Sequence, residues 1–316
     1  MSALAAVADR PRLGILCAVL GALAFSLNDT VIKLLSGDYA LPQIIFIRGT
    51  VAFVLIVALI VPLEGGLIKL LSPRWRLHVL RGSFVIGANL SFFMGLAALQ
   101  LAEATALFFI APLLITAFSV FFLGETVGPR RWAAVGLGLV GVIVIMRPGL
   151  GVFQLAALLP ILAAVFYASL HMLTRKLGVT ENASTMAAYI QGTFMVVMGF
   201  LGLAFGDGRF AGSDNPSLEF LFRPWIWPPI TDLAYMVALG LLNAASGYLI
   251  SQAYRVAPAA TVAPFEYVSL IMAIFYGFVL FSEFPDAFTW LGIFLIAGSG
   301  LFVFWRENRR KTTPRR

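Results

Sequence analysis

Ten apolar runs follow one another along the chain with few polar residues between them. They lie near 13–35, 40–62, 78–98, 102–123, 131–147, 152–174, 184–206, 232–254, 258–281 and 287–305. A bilayer-spanning helix needs ~20 predominantly apolar residues, and most of the runs meet that length. Composition agrees. Of the 316 residues 60% are hydrophobic and 12% charged, and mean hydropathy is +0.94, whereas a soluble domain carries about 25% charged residues. So large an apolar surplus cannot be buried in a water-soluble core. The expected fold is an all-α integral membrane protein of ten transmembrane helices.

The placement of charge predicts the topology. With the amino terminus in the cytoplasm and ten alternating spans, 17 of the 22 Lys and Arg fall on the cytoplasmic side, six of them in the tail from Arg306 to Arg316. The positive-inside rule predicts such a bias. The net charge of +7 therefore reports orientation, not nucleic-acid binding. Arg10 and Arg12 before an apolar run ending in Ala22–Leu23–Ala24 resemble a signal peptide, but the run continues to Leu35 and reads as a retained first span. Cys17 is the single cysteine, which excludes an internal disulfide or a cysteine-based metal cluster. The segment 206–232 is the one long connection, polar and then rich in Trp and Pro, with Trp225 and Trp227 suited to the headgroup region.

The sequence also repeats. Ala98, Ala102 and Ala104 align with Ala253, Ala257 and Ala259, and Glu125 and Trp132 with Glu283 and Trp290. Five spans per half is an odd number, so the halves are expected in opposite orientation. That is a transporter architecture with solute bound near the midplane between repeats. The division expected is 1–149 for the first repeat, 150–305 for the second and 306–316 for a basic cytoplasmic tail.

Several segments are similar to the EamA group of the drug/metabolite transporter superfamily. They are FSLNDTVIKLL (25–35), FIRG (46–49), the run 101–125, RPG (147–149) and the run 263–286. The resemblance covers essentially the whole chain. It implies ten helices, cytoplasmic termini in the inner membrane, and a central cavity between two five-helix repeats. Activities in that group include export of amino acids, aromatic ones among them, and uptake of riboflavin or S-adenosylmethionine.

Polar groups inside the spans are the candidate binding residues, because an ionisable side chain at membrane depth is costly and is kept for function or pairing. At ~1.5 Å per residue, Asp29 and Arg48 both fall in the outer half of the membrane. Asp29 can neutralise Arg48, and can also reach Lys33 one turn on. Asn89 and Asn243 sit near mid-depth on repeat-related spans. Glu266 lies roughly 12 Å into the ninth span, with Tyr267 beside it. Asn28 and Tyr248 complete the substrate-binding set. Pro112 and Pro264 interrupt repeat-equivalent helices and free carbonyls at Phe108 and Ala260. GLGLVG (136–141) fits a dinucleotide fingerprint, but it lies inside an apolar helix after no strand, so its glycines read as close helix contacts. Glu125 and Glu283 are expected at opposite membrane surfaces, and His78 and His171 in solvated positions at the inner side.

Two histidines 93 residues apart provide no metalloenzyme constellation, so neither enzyme activity, metal nor cofactor is expected. The expected partners are a small-molecule solute and the lipid bilayer, with protons as the candidate coupling ion, no nucleic acid, and a monomer or weak homodimer. Export of amino acids is the first function expected, and uptake of a vitamin or cofactor the alternative.

Overall fold

A computed structural model describes residues 11–60, 62, 66, 72–124, 127–148, 154–177, 183–257 and 262–312. Every regular element among them is helical: α1 (Pro11–Leu35), α2 (Leu41–Leu55, continued by a π turn Ile56–Ile60), α3 (Trp75–Ala98), α4 (Leu101–Phe108), α5 (Ala111–Leu123), α6 (Pro129–Met146), α7 (Leu158–Leu177), α8 (Ala183–Phe205), α9 (Pro216–Phe222), α10 (Ile230–Val256), α11 (Val268–Phe281) and α12 (Ala287–Thr312). Short 3₁₀ turns precede α7 and α11, at Leu155–Ala157 and Ala263–Tyr267.

Among the described residues, nine helical stretches are long and apolar enough to cross a membrane. The tenth expected span is apolar over Ala287–Val303 but shorter. Proline marks several starts. Pro42, Pro112, Pro129 and Pro216 sit in the first two positions of α2, α5, α6 and α9, where the missing amide would have had no helical partner. The breaks expected at two prolines are present. The fourth span stops at Phe108 and restarts at Ala111, and the ninth opens as the 3₁₀ turn around Pro264. The carbonyl of Ala260 lies outside the described residues.

Helix packing follows a simple rule. α1 lies along α10 and α3 along α7; α10 also packs on α2, and α3 on α8; α5 packs on α7, and α1 on α11. Each of these pairs becomes another when every span is exchanged for the one five spans away. α2 with α8 and α6 with α12 are left as self-related pairs. Gly141, the last glycine of the 136–141 run, serves the last of these, while Gly136 faces open space. A Cβ on Gly292 would stand 2.8 Å from the carbonyl oxygen of Gly141 and 2.3 Å from Ile145, so α6 and α12 cross with backbones nearly touching. Without a hydrophobic drive between helices in lipid, close approach at small residues supplies the association.

The connection 206–232 is more ordered than a surface loop. It contains α9, capped by Asn215, whose side chain accepts from the amides of Ser217 at 3.0 Å and Leu218 at 3.3 Å. Ser217 then ties the helix to the carbonyl of Met94 at 2.7 Å. Trp227 is 89% exposed, as a headgroup-facing side chain should be. Trp225 instead packs inward, 5.8 Å from the Phe46 ring and against Gly202. The connection is also bonded to the start of α2 and the turn before it. Arg223 donates to the carbonyl of Ser36 at 2.7 Å, and Tyr39 to Asp232 at 2.6 Å. Burial, with the adjacent Asp232 carboxylate, pushes the Tyr39 phenol up to about 12.

Candidate functional site

Arg48 on α2 is only 3% exposed. Its guanidinium donates to Asn28 Oδ1 at 3.3 Å and to Asn89 Oδ1 at 2.9 Å, and stands 5.6 Å over the ring of Phe93. Asn89 is held in turn, donating to the carbonyl of Val85 at 3.0 Å. Asn28 donates to Asp29 Oδ1 at 3.1 Å. Three helices thus converge on one cation, and Asp29 joins it through a neutral amide. The direct Asp29–Arg48 neutralisation expected from depth is not made. Nor is the Asp29–Lys33 pairing, because Lys33 Nζ is drawn 2.6 Å from Glu283 instead. An i,i+4 neighbour in one helix competes poorly with a carboxylate aimed across the bundle.

From Arg48 a row of aromatic rings leads across the protein. Phe93 meets Phe92 with centroids 5.3 Å apart, Phe92 meets Phe108 at 5.3 Å, and Phe108 meets Tyr167 at 5.4 Å. Phe108 is the last residue of α4, at the break before Pro112, and its ring meets α7 there. The row ends at an acid. Glu266 lies within electrostatic range of the phenols of Tyr167 and Tyr267. Tyr267 stacks on Phe109 at 4.7 Å, and its buried hydroxyl has no hydrogen-bond partner among the described residues. Tyr167 and Glu266 belong to the second half of the chain, while Arg48, Phe93, Phe92 and Phe108 belong to the first.

The remaining candidates scatter. Asn243 is half-buried on the face of α10 that carries the fully buried Met236, Leu239 and Ser246. Tyr248 is 62% exposed on the same face as Leu241 and Val237, the apolar side a helix turns to lipid. His78 is not solvated: it is 1% exposed and stacks on Tyr189 at 4.6 Å. His171 is half-buried and rests on Tyr167 at 4.5 Å. Arg81 is likewise drawn in, donating to Thr174 Oγ1 at 2.8 Å and to the carbonyl of Met186 at 3.2 Å. Glu283 is more than an interfacial residue, as its pairing with Lys33 shows, and Glu125 lies outside the described residues.

The charged residues at the two ends of this row were candidates from the sequence, and the rings between them were not. Phe92 and Phe93 follow Asn89 by three and four residues, one helical turn, and so share its face. Phe108 and Phe109 stand directly before the proline break. Both signals were present, but aromatic residues are common on lipid-facing surfaces too.

A bundle of membrane-length helices that encloses a hydrogen-bonded cation, an acid and two broken helices is a polytopic membrane transporter. The EamA-like transporter family matches residues 12–147. A riboflavin transporter of Rhizobium johnstonii is 30% identical over 314 residues, covering 99% of this chain and 98% of its own length. An S-adenosylmethionine uptake transporter of Rickettsia prowazekii is 26% identical, with 94% of each chain covered. The chain belongs to the EamA-like transporter family. A crystal structure at 20% sequence identity shares the fold, with a TM-score of 0.60 over 95% of this chain and 98% of that one.

Proposed function

We propose that the protein carries a planar, ring-bearing metabolite of the vitamin or cofactor kind into the cell, riboflavin foremost. The observation that carries this reading is the row of rings from Phe93 to Tyr167, bounded by the Arg48 guanidinium at one end and Glu266 at the other. Aromatic faces accept a flat ring by offset or edge contact. Arg48 offers donors to ring carbonyls, and Glu266 offers an acceptor to hydroxyl or amino groups. The full-length likeness to a riboflavin transporter and to an S-adenosylmethionine uptake transporter supports the same class of cargo.

The two repeats divide near residue 150 on this reading, since the helix pairing is unchanged by a five-span exchange. Solute passes between them as one half rocks on the other. A thermal-shift screen of the purified protein tests the cargo. Riboflavin should raise the melting temperature in a concentration-dependent way while amino acids leave it unmoved. Stabilisation by amino acids alone would restore amino-acid export as the better function.

Both termini are proposed to be cytoplasmic in the inner membrane. With Cys17 replaced by Ala, Ser213→Cys should react with a membrane-impermeant thiol reagent in intact cells and Thr313→Cys should not. Reaction of both from one side would contradict the topology.

A further inference from the structure

A second charged cluster lies one end of the bundle away from Arg48, where α1, α6 and α11 finish and α4 begins. Lys33 and Glu283 meet at 2.6 Å with side chains only 10% and 23% exposed. Lys33 also donates to the carbonyl of Leu99 at 2.7 Å and stands 5.1 Å over the Phe281 ring. The other oxygen of Glu283 accepts the amide of Leu101 at 2.9 Å. The pair therefore grips the α3–α4 junction from both sides, taking the carbonyl where one helix ends and the amide where the next begins. Three residues beyond Glu283, Asp286 is ion-paired with Arg147, which also stands 4.9 Å over Phe288.

Both carboxylates come from one short link, 282–286, in the second half of the chain, and both cations come from the first half. Glu103, in the first turn of α4, faces the same four charges. The backbone is held unusually at the start of the link and at the cation its far end pairs with. Ser282 (φ 54°) and Arg147 (φ 47°) are the non-glycine residues with positive φ among those described, a conformation a Cβ disfavours. α5 ends in the same left-handed turn, but with glycine, at Gly124 (φ 67°). Strained backbone of this kind persists where the surroundings over-determine it, and it concentrates at clamps and switches. Burial works to raise the Asp286 carboxyl, but the amide of Thr289 and the Arg147 guanidinium outweigh it and hold it below the usual carboxylate range. The Asp286 arm thus forms fully above the ordinary carboxylate value and is lost only as pH falls through the lower folded one.

We propose that the 282–286 link is a latch that closes the solute path at this end, and that Glu283 must leave Lys33 and the α3–α4 junction for the path to open. Its position fits. Lys33 is one turn beyond Asp29 on α1, and α4 is the short helix that joins the gripped junction to Phe108 in the row of rings. The latch rests on the transporter reading but not on riboflavin as cargo.

The test needs no substrate. In a Cys17→Ala background carrying Phe108→Cys, the labelling rate with a membrane-impermeant maleimide is compared in intact cells and in inside-out vesicles, so that both ends are sampled. With the latch intact, labelling from its end should be slow. Glu283→Gln keeps the shape and the acceptor but removes the charge. It should speed labelling at that end by about tenfold or more, as expected if the open state is a minor one of ~10% or less. Lys33→Gln should do the same, and Lys33→Arg should leave the rate low. Unchanged labelling in folded Glu283→Gln, or fast labelling with the latch intact, overturns the proposal. Failure of both neutral variants to accumulate as folded protein would make the pair a structural strut and overturn it equally.

Discussion

Arg48→Ala is expected to bring solute uptake down to the level of protein-free vesicles, a loss of about 100-fold or more, equivalent to ~2.7 kcal/mol or greater. Arg48 is the donor at which α1, α2 and α3 meet, through Asn28, its own helix and Asn89. Its removal has two costs. The site loses its guanidinium, and Asp29 loses the positive charge that its amide-bridged neighbourhood provides. With the latch closed Lys33 cannot substitute, because Glu283 and Leu99 hold it. Stripping one member from a buried charge network costs ~3–5 kcal/mol, so the melting temperature of the variant should fall as well.

The two costs separate in a cycle. Asp29→Asn on top of Arg48→Ala should recover part of the lost stability and none of the lost uptake. Strict additivity of the two melting effects would show that Asn28 transmits nothing between them. Arg48→Lys should also transport poorly. A single ammonium lacks the planar fork that serves Asn28 and Asn89 together while lying over Phe93.

Gly292→Ala should be strongly destabilising for a change of a single carbon. The added Cβ would stand 2.8 Å from a backbone carbonyl at Gly141, which cannot rotate away as a side-chain tip could. α6 and α12 must then separate, and α12 carries the shortest of the apolar stretches. Overpacking costs typically ~1–3 kcal/mol, enough to lower the melting temperature of the detergent-solubilised protein by several degrees. The control is Gly298→Ala on the same helix, where nothing lies within 4 Å of the new carbon. Equal melting temperatures for the two variants would contradict the crossing described here.

Glu266→Gln distinguishes charge from shape at the other end of the site. The variant should insert and fold normally but lose transport or its pH dependence, measured in vesicles from pH 5 to 8. Full transport across that range would leave Glu266 a structural role only.

How far the sequence reached depends on what each feature answers to. The spans and breaks were legible because they follow from local physics. Apolar length sets a crossing, and a proline cannot sit in a helix interior without cost. Arg48, Asp29 and Glu266 stood out because charge is scarce in an apolar run. What the sequence hid was partner choice. Lys33 has Asp29 four residues away and yet pairs with Glu283, 250 positions on, a contact that exists only once the two halves close. His78 and Arg81 were read with the basic residues around them, and are buried because α3 packs on α7 and α8. The row of rings needed the break at Phe108 and the approach of α7 together, and no periodicity in one segment encodes that meeting.

Arg48, the row of rings and Glu266 are proposed to form one path for a flat vitamin-like solute. Uptake of riboflavin into proteoliposomes holding the purified protein tests it most directly, with Arg48→Ala protein as the matched control. The native protein should give saturable accumulation, competed by unlabelled riboflavin and not by amino acids, and the variant none above empty liposomes. Native protein that accumulates no riboflavin, or a variant that accumulates it equally well, would show that no such path exists.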